Sequence, residues 1–185
     1  VNDTYRNNNN TLRLTDAKLI ANYKKRMDEF MAGRFHGAAN KTVPNPTVTE
    51  ADGVKIENYF SPTGGGKQAI QKRLEAAQKS IKVLAFSFTD DDQAKALLDK
   101  AKKGVKVQGV CEARNANGSG AEYPSFKNAG LAVLTDGNCY TMHHKVYIID
   151  DKTVITGSYN FSSNADKDND ENLLIIDDPN LAKLY

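Results

Sequence analysis

No apolar run in this chain approaches the roughly 20 residues a membrane-spanning helix needs, so no transmembrane segment is expected. Residues 1–10 are polar and asparagine-rich, which does not read as a signal peptide. An initiator methionine is missing as well, and the chain reads as a processed or excised piece whose first residues leave the compartment unread. A surplus of one charge is also absent: 25 Lys and Arg stand against 23 Asp and Glu, a formal net charge of +2. Proteins that grip many phosphates usually carry a basic excess on one face. This balance argues against a DNA-coating surface and leaves room for a local basic pocket. Cysteine is scarce. Cys111 and Cys139 lack metal-ligand spacing, leaving one disulfide in an oxidising compartment or two buried thiols.

What is present suits an ordinary globular domain: 185 residues, 39% apolar and 26% charged. That length supports one domain with a sizeable core. Leu19, Ile20, Tyr23, Met27, Phe30 and Met31 recur at helical spacing and predict a helix over 16–32, capped by Thr15 or Asp16 and stopped by Gly33. Residues 36–53, rich in Asn, Pro and Thr, read as a linker in which His36 is solvated. Strands are expected at 54–60, 81–88, 105–111, 131–134, 140–149, 153–157 and 172–176, and helices at 67–79, 90–103 and 123–129. This alternation predicts an α/β fold, a layered sandwich with a mixed β-sheet flanked by helices.

An internal repeat bears on the organisation. Residues 9–23 align without gaps on 171–185: Asn10 matches Asn172, Leu12 matches Leu174, Asp16 matches Asp178, Leu19 matches Leu181 and Tyr23 matches Tyr185. Two similar strand-then-capped-helix units would give a chance likeness; descent from one unit is the sharper reading. It divides the chain into 1–35, the strand-plus-helix tail of a preceding repeat, a linker at 36–53, and a catalytic-type domain at 54–185.

The chemistry gathers between residues 142 and 171. Alternation along a strand puts His143, Lys145 and Tyr147 on one face, with His144 and Val146 on the other. After the turn at Asp150-Asp151 the chain returns to Gly157, where Ser158 and Asn160 share a side if it stays extended. Imidazole, ammonium, hydroxyl and carboxamide together suit a phosphodiester, which needs a nucleophile or proton shuttle, a cation and neutral donors for the non-bridging oxygens. A lone histidine near a lysine is ordinarily incidental surface chemistry. His144 reads as a packed or exposed neighbour. Gly64-Gly65-Gly66-Lys67 lacks the Walker spacing and the following Ser or Thr, and reads as a flexible lead-in to a helix. The sequons at Asn40, Asn117 and Asn160 are expected by chance in an asparagine-rich chain.

The pattern His143-x-Lys145-x4-Asp150, followed by Gly157-Ser158-x-Asn160, resembles the HKD signature of the phospholipase D superfamily with its GSxN extension. Upstream, Tyr59-Phe60-Ser61-Pro62, Phe86-Ser87-Phe88-Thr89 and Lys102-Lys103-Gly104-Val105 resemble the bacterial single-motif endonucleases of that superfamily, so the likeness covers about residues 54–185. It implies the phospholipase D-like fold and an enzyme that uses two histidines from two halves. His143 would form a phosphohistidine, or act as acid and then base beside the histidine that does. Lys145 and Asn160 would steady the phosphoryl oxygens with help from Ser158. Asp150 and Gly157 would be structural. Glu171 falls where related nucleases orient the histidine through its second ring nitrogen, although Asp168 and Asp170 stand close by. No metal or other cofactor is required by this chemistry.

Three functions follow from the resemblance. The first is a nuclease-like phosphodiesterase acting on nucleic acid, completed by a second half from a preceding repeat or from a symmetric homodimer. The second is a phospholipase D or cardiolipin-synthase-like enzyme acting on phospholipid. The third is a non-catalytic phosphate-binding or scaffold half of a degenerate tandem protein, suggested by Asn9 standing where the other copy has Glu171.

Overall fold

The computed structural model describes residues 5–38, 43–50 and 52–185; the Asn40 sequon lies outside them. Helix α1 is Ala17–Met31, and Asp16 caps it by accepting from the Lys18 and Leu19 backbone N–H groups. Its buried residues are Leu19, Asn22, Arg26 and Glu29. Ile20, Met27 and Met31, expected to face inward, are 53%, 57% and 81% exposed. The helix has turned a partly polar face to the sheet because that face is satisfied there. Asn22 donates to Asn58 and to the Asn45 carbonyl, and the Arg26 guanidinium lies 4.9 Å over the Phe60 ring and 3.3 Å from Glu29. Among the described residues ahead of α1 the expected strand does not form, and Asn8 makes an isolated bridge to Met142.

The described residues of the expected linker include a 3₁₀ turn, His36–Ala38, and strand β1, Thr47–Thr49. Then follow β2 Lys55–Phe60, α2 Gly66–Ala76, β3 Ser80–Ala85, α3 Asp91–Lys102, β4 Lys106–Cys111, α4 Tyr123–Asn128 and β5 Ala132–Thr135. The chain ends with β6 Lys145–Ile149, β7 Thr153–Gly157, α5 Ser163–Lys167, β8 Asn172–Asp177 and α6 Pro179–Leu184. The strands form one eight-stranded sheet in the order β1-β2-β8-β7-β6-β3-β4-β5. Helical crossovers make β3, β4 and β5 parallel, whereas β6 and β7 join through a short turn, β7 and β8 through a longer segment carrying α5, and these three run antiparallel.

Period-two alternation sorts the side chains of the central strands. Val83, Tyr147, Ile149, Ile155, Leu173 and Ile175 meet Ile70, Leu74, Leu97 and Phe126 of the helices in the main core. On the opposite face Leu174 and Ile176 pack with Leu19 of α1, and Val146, Ile148 and Val154 pack with Ala182 of α6. Both faces of the sheet are therefore covered at its centre, as a layered mixed sheet requires. Among the described residues no helix is long and apolar enough to cross a membrane.

Candidate active site

The predicted strand 140–149 is regular only from Lys145 onward. Residues 136–144 are held by side chains as well as by single backbone contacts: buried Glu112 accepts from the Met142 N–H, and the Asn138 side chain accepts from the Tyr140 N–H. His143 therefore stands at the mouth of β6, where pairing with β3 begins (Ala85 opposite Lys145, and the Phe86 N–H donating to the His144 carbonyl at 2.8 Å).

That register brings Phe86 against both key side chains. The His143 ring meets Phe86 edge to face at 4.7 Å between centroids, and Lys145 Nζ lies 4.7 Å above the same ring. Lys145 is 6% exposed and donates to the His143 carbonyl at 2.8 Å. Burial pulls its pKa from 10.5 down to about 8, with the Glu171 charge opposing. Burial also lowers the His143 pKa, assisted by Lys145 and partly offset by Glu112. His144 faces away, half-buried, with Nδ1 3.1 Å from Asn10 Oδ1.

The returning turn is built around Asn172. The Ser158 hydroxyl accepts from the Asn172 backbone N–H at 3.0 Å and from its side-chain amide at 3.1 Å, while the Ser158 N–H donates to the Asn172 carbonyl. Gly157 has φ +149°, and a Cβ there would press into that carbonyl oxygen, so only glycine fits. Buried Tyr159 and Phe161 anchor the turn, Phe161 stacking 4.2 Å from Tyr147. Between them Asn160 presents a buried side-chain oxygen that accepts no hydrogen bond from the described residues.

Asp150 lies at the far end of β6, away from this cluster. It sits at φ +55° and accepts from the backbone N–H groups of Gln78, Lys79 and Ser80, which hold its carboxyl below the usual carboxylate range. Glu171 is tied at its backbone to Ser61 in both directions, and its carboxylate accepts from the Asn169 side chain at 3.0 Å. The carboxylate whose charge reaches His143 is Glu112, which sequence reasoning missed; an acid just after a buried strand was the only signal. Asp170 accepts from the His36 N–H at 3.0 Å and lies 3.0 Å from its ring nitrogen, while the His36 side chain stays 66% exposed, as expected of a loop histidine. Cys111 is buried, its thiol pushed up to about 11, and Cys139 is exposed; both are free thiols. The glycine run is a tight turn rather than a flexible lead-in, since a Cβ on Gly64 would collide with the Phe60 carbonyl and Gly65 adopts φ +78°.

A sandwich that seats an imidazole and an ammonium side by side where a central strand begins, with a hydroxyl and a carboxamide on the adjoining turn, has the architecture of the phospholipase D superfamily. The chain belongs to that superfamily: residues 70–185 match the family model described as "Cardiolipin synthase, PLD-like domain". Membership makes it a phosphodiesterase of the hydrolase class. The chain is 34% identical over 138 residues to "Phospholipase D" of Rickettsia conorii, covering 75% of this chain and 69% of the relative. It is 33% identical over 112 residues to "Mitochondrial cardiolipin hydrolase" of Chlamydomonas reinhardtii, 60% of this chain and 50% of that one. Among solved structures, the phospholipase D family member Nuc from Salmonella typhimurium superposes with a TM-score of 0.66 at 35% identity, covering 71% of this chain and 88% of Nuc.

Proposed function

We propose that this chain supplies one half of a metal-independent, nuclease-like phosphodiesterase site that works through a phosphohistidine. The observation that carries this reading is the pairing of His143 with buried Lys145 on one Phe86 ring, together with an Asn160 oxygen, on the turn after the neighbouring strand, that has no donor among the described residues. A neutral His143 ring nitrogen attacks phosphorus, and the bond to the leaving oxygen breaks as the P–N bond forms. The leaving oxygen takes a proton from a second histidine. That histidine then removes a proton from water, whose oxygen displaces His143 and restores both groups. His144 is unsuited to this second role because it faces Asn10, so the partner imidazole comes from another half, a preceding repeat or a second copy. Lys145, Asn160 and Ser158 steady the non-bridging oxygens. Glu171 acts on the charge of Lys145, and its orienting role toward His143 is tested by Glu171→Gln.

Nucleic acid is the favoured substrate because the segment entering the site joins cations to an aromatic ring. Arg6 lies 5.1 Å over Tyr140, which is 41% exposed, and Arg114 donates to the Cys139 carbonyl. Cations beside an exposed ring suit a phosphate backbone with stacking bases. A lipid phosphodiester is the second reading, favoured by the names of the curated relatives. Incubation with a chromogenic phosphodiester, plasmid DNA and phospholipid vesicles, all with chelator, tests both. Chelator-resistant turnover that disappears in His143→Ala is expected, and equal turnover in that variant would overturn the mechanism.

A further inference from the structure

The two segments that resemble each other in sequence also touch, and they do so reciprocally. The Asn10 side-chain amide donates to the Tyr185 hydroxyl at 2.8 Å, and the Tyr23 hydroxyl donates to the Asn172 side-chain oxygen at 3.2 Å. Asn10 is the counterpart of Asn172 and Tyr23 of Tyr185, so these are the same contact made twice with the roles of the copies exchanged. Apolar counterparts meet as well: Leu12 and Leu174, Leu14 and Ile176, and Leu19 and Leu181 all belong to one cluster. A residue i touching j′ while j touches i′ is the pattern of an isologous two-fold interface. The likeness is strongest on this contacting face. Exposed Thr11 and Arg13 stand where Leu173 and Ile175 are buried in the main core.

The segment just ahead of Asn10 has a further task. Asn8 donates to the Thr141 carbonyl at 2.9 Å, and its own carbonyl accepts the backbone N–H of His143 at 3.0 Å. Asn7 Oδ1 accepts the Thr141 N–H at 3.2 Å, and the Asn138 side chain donates to Asn8 Oδ1 at 2.7 Å. Residues 7–10 thus clasp the loop that presents His143, while Asn10 also reaches His144 and Thr156 behind it. Continued upstream, the repeat pairs Asn7 with Asn169 and Asn8 with Asp170.

We propose that residues 7–23 and 169–185 are two copies of one segment meeting across a local two-fold axis, and that the clasp is therefore mutual. Residues 7–10 belong to a preceding unit and hold the histidine loop of this one. Residues 169–172 present the same groups to the histidine loop of that preceding unit. The groove of about 660 Å³ between Leu14, Ile20, Met27 and Gly157 lies along this seam, and a unit of this same kind is its occupant. The inference rests on the two-half reading for its partner and on nothing in the reaction chemistry. It makes Asn7 and Asn169 positioning residues, each acting on the other unit's histidine.

The test is crossed. In the gene product that carries both units, Asn7→Ala and Asn169→Ala are compared by amide hydrogen exchange at the two histidine loops, without substrate. Asn7→Ala is expected to speed exchange at His143 several-fold and to spare the preceding unit's histidine; Asn169→Ala is expected to do the reverse. Neither side chain is buried, Asn169 being exposed and Asn7 partly so, which keeps misfolding from deciding the result, and a double-mutant cycle adds an independent reading. Asn10→Ala with Tyr185→Phe should shift the thermal midpoint non-additively by about 2–4 °C, and Asn10→Ala with Tyr23→Phe should be additive. Disturbance of His143 by Asn169→Ala, or a gene product with no like unit ahead of residue 1, would overturn the proposal. Absence of turnover would sink the proposed function and leave this exchange result standing.

Discussion

At the scale of the residue, the site is governed by where its charges are allowed to exist. The Lys145 ammonium has a carbonyl and an aromatic face for immediate company and is removed from water, which is why its proton is held only to about pH 8. In the proposed mechanism Lys145 serves the phosphoryl oxygens as a cation, and that charge is lost as pH rises through about 8. The same proposal has His143 attack as the neutral ring, a form its lowered pKa favours below the ordinary histidine range. Under this mechanism kcat/KM should fall in acid, below the usual histidine value, as His143 is protonated. It should fall in alkali as the second histidine loses the proton it must donate, with a further loss near 8 from Lys145; a pH–rate profile checks these limbs. Stability follows a different sign. Folding depresses the Lys145 pKa, so the unfolded chain binds more protons between about 8 and 10.5, and Lys145 adds stability as pH rises through that window. Replacing the ring nitrogens altogether, as in His143→Ala, should cut single-turnover rate by about a thousandfold or more, with the fold intact by circular dichroism.

At the scale of the element, turns and helix faces carry the placement. Asp150 gathers three successive N–H groups at the start of β3 onto the β6–β7 turn. Asp150→Asn keeps a side chain tolerant of positive φ and removes the charge, and should cost about 1–2 kcal/mol in urea unfolding. The lowered carboxyl pKa contributes stability above the unfolded value and loses it as pH falls through the folded one, so the variant should differ least from the parent in strong acid. Helix α1 offers a sharper contrast. Leu19→Ala, 2% exposed, should cost about 2–5 kcal/mol; Met31→Ala, 81% exposed, should move stability by no more than about 0.5 kcal/mol. The period of this helix was legible in the sequence, but the face it buries was not. Periodicity ranks apolar residues, and Asn22 and Arg26 are accepted inside only because Asn58 and Phe60, far along the chain, receive them. Strand β7 read out as the residues that form it, whereas β6 is shorter than the expected 140–149 because Glu112 competes for the backbone ahead of Lys145.

At the scale of the whole molecule, the layered sheet and the His143–Lys145 face were legible because two periods of alternation determine them. The roles of Phe86, Glu112 and Asn172 were not, since each arrives from a different element by register rather than by spacing. The near balance of charge also has a measurable consequence. With Arg6, Arg114 and Lys145 as the cations around the site, log affinity for duplex DNA against log salt should fall with a slope of about −2 to −3. A much steeper slope would point to a broad basic footprint that the +2 net charge does not supply.

The unequal fate of the two thiols has a practical side. Cys111 is shut inside the core with its thiol held protonated to about pH 11, while Cys139 stands in the open, its carbonyl gripped by Arg114 on the segment that leads to His143. A maleimide dye added at neutral pH would therefore attach at Cys139 and spare Cys111, within a few residues of the His143 imidazole. The molecule carries its own reporter position, and arrival of a nucleic acid or a lipid could be watched by fluorescence without engineering a single residue.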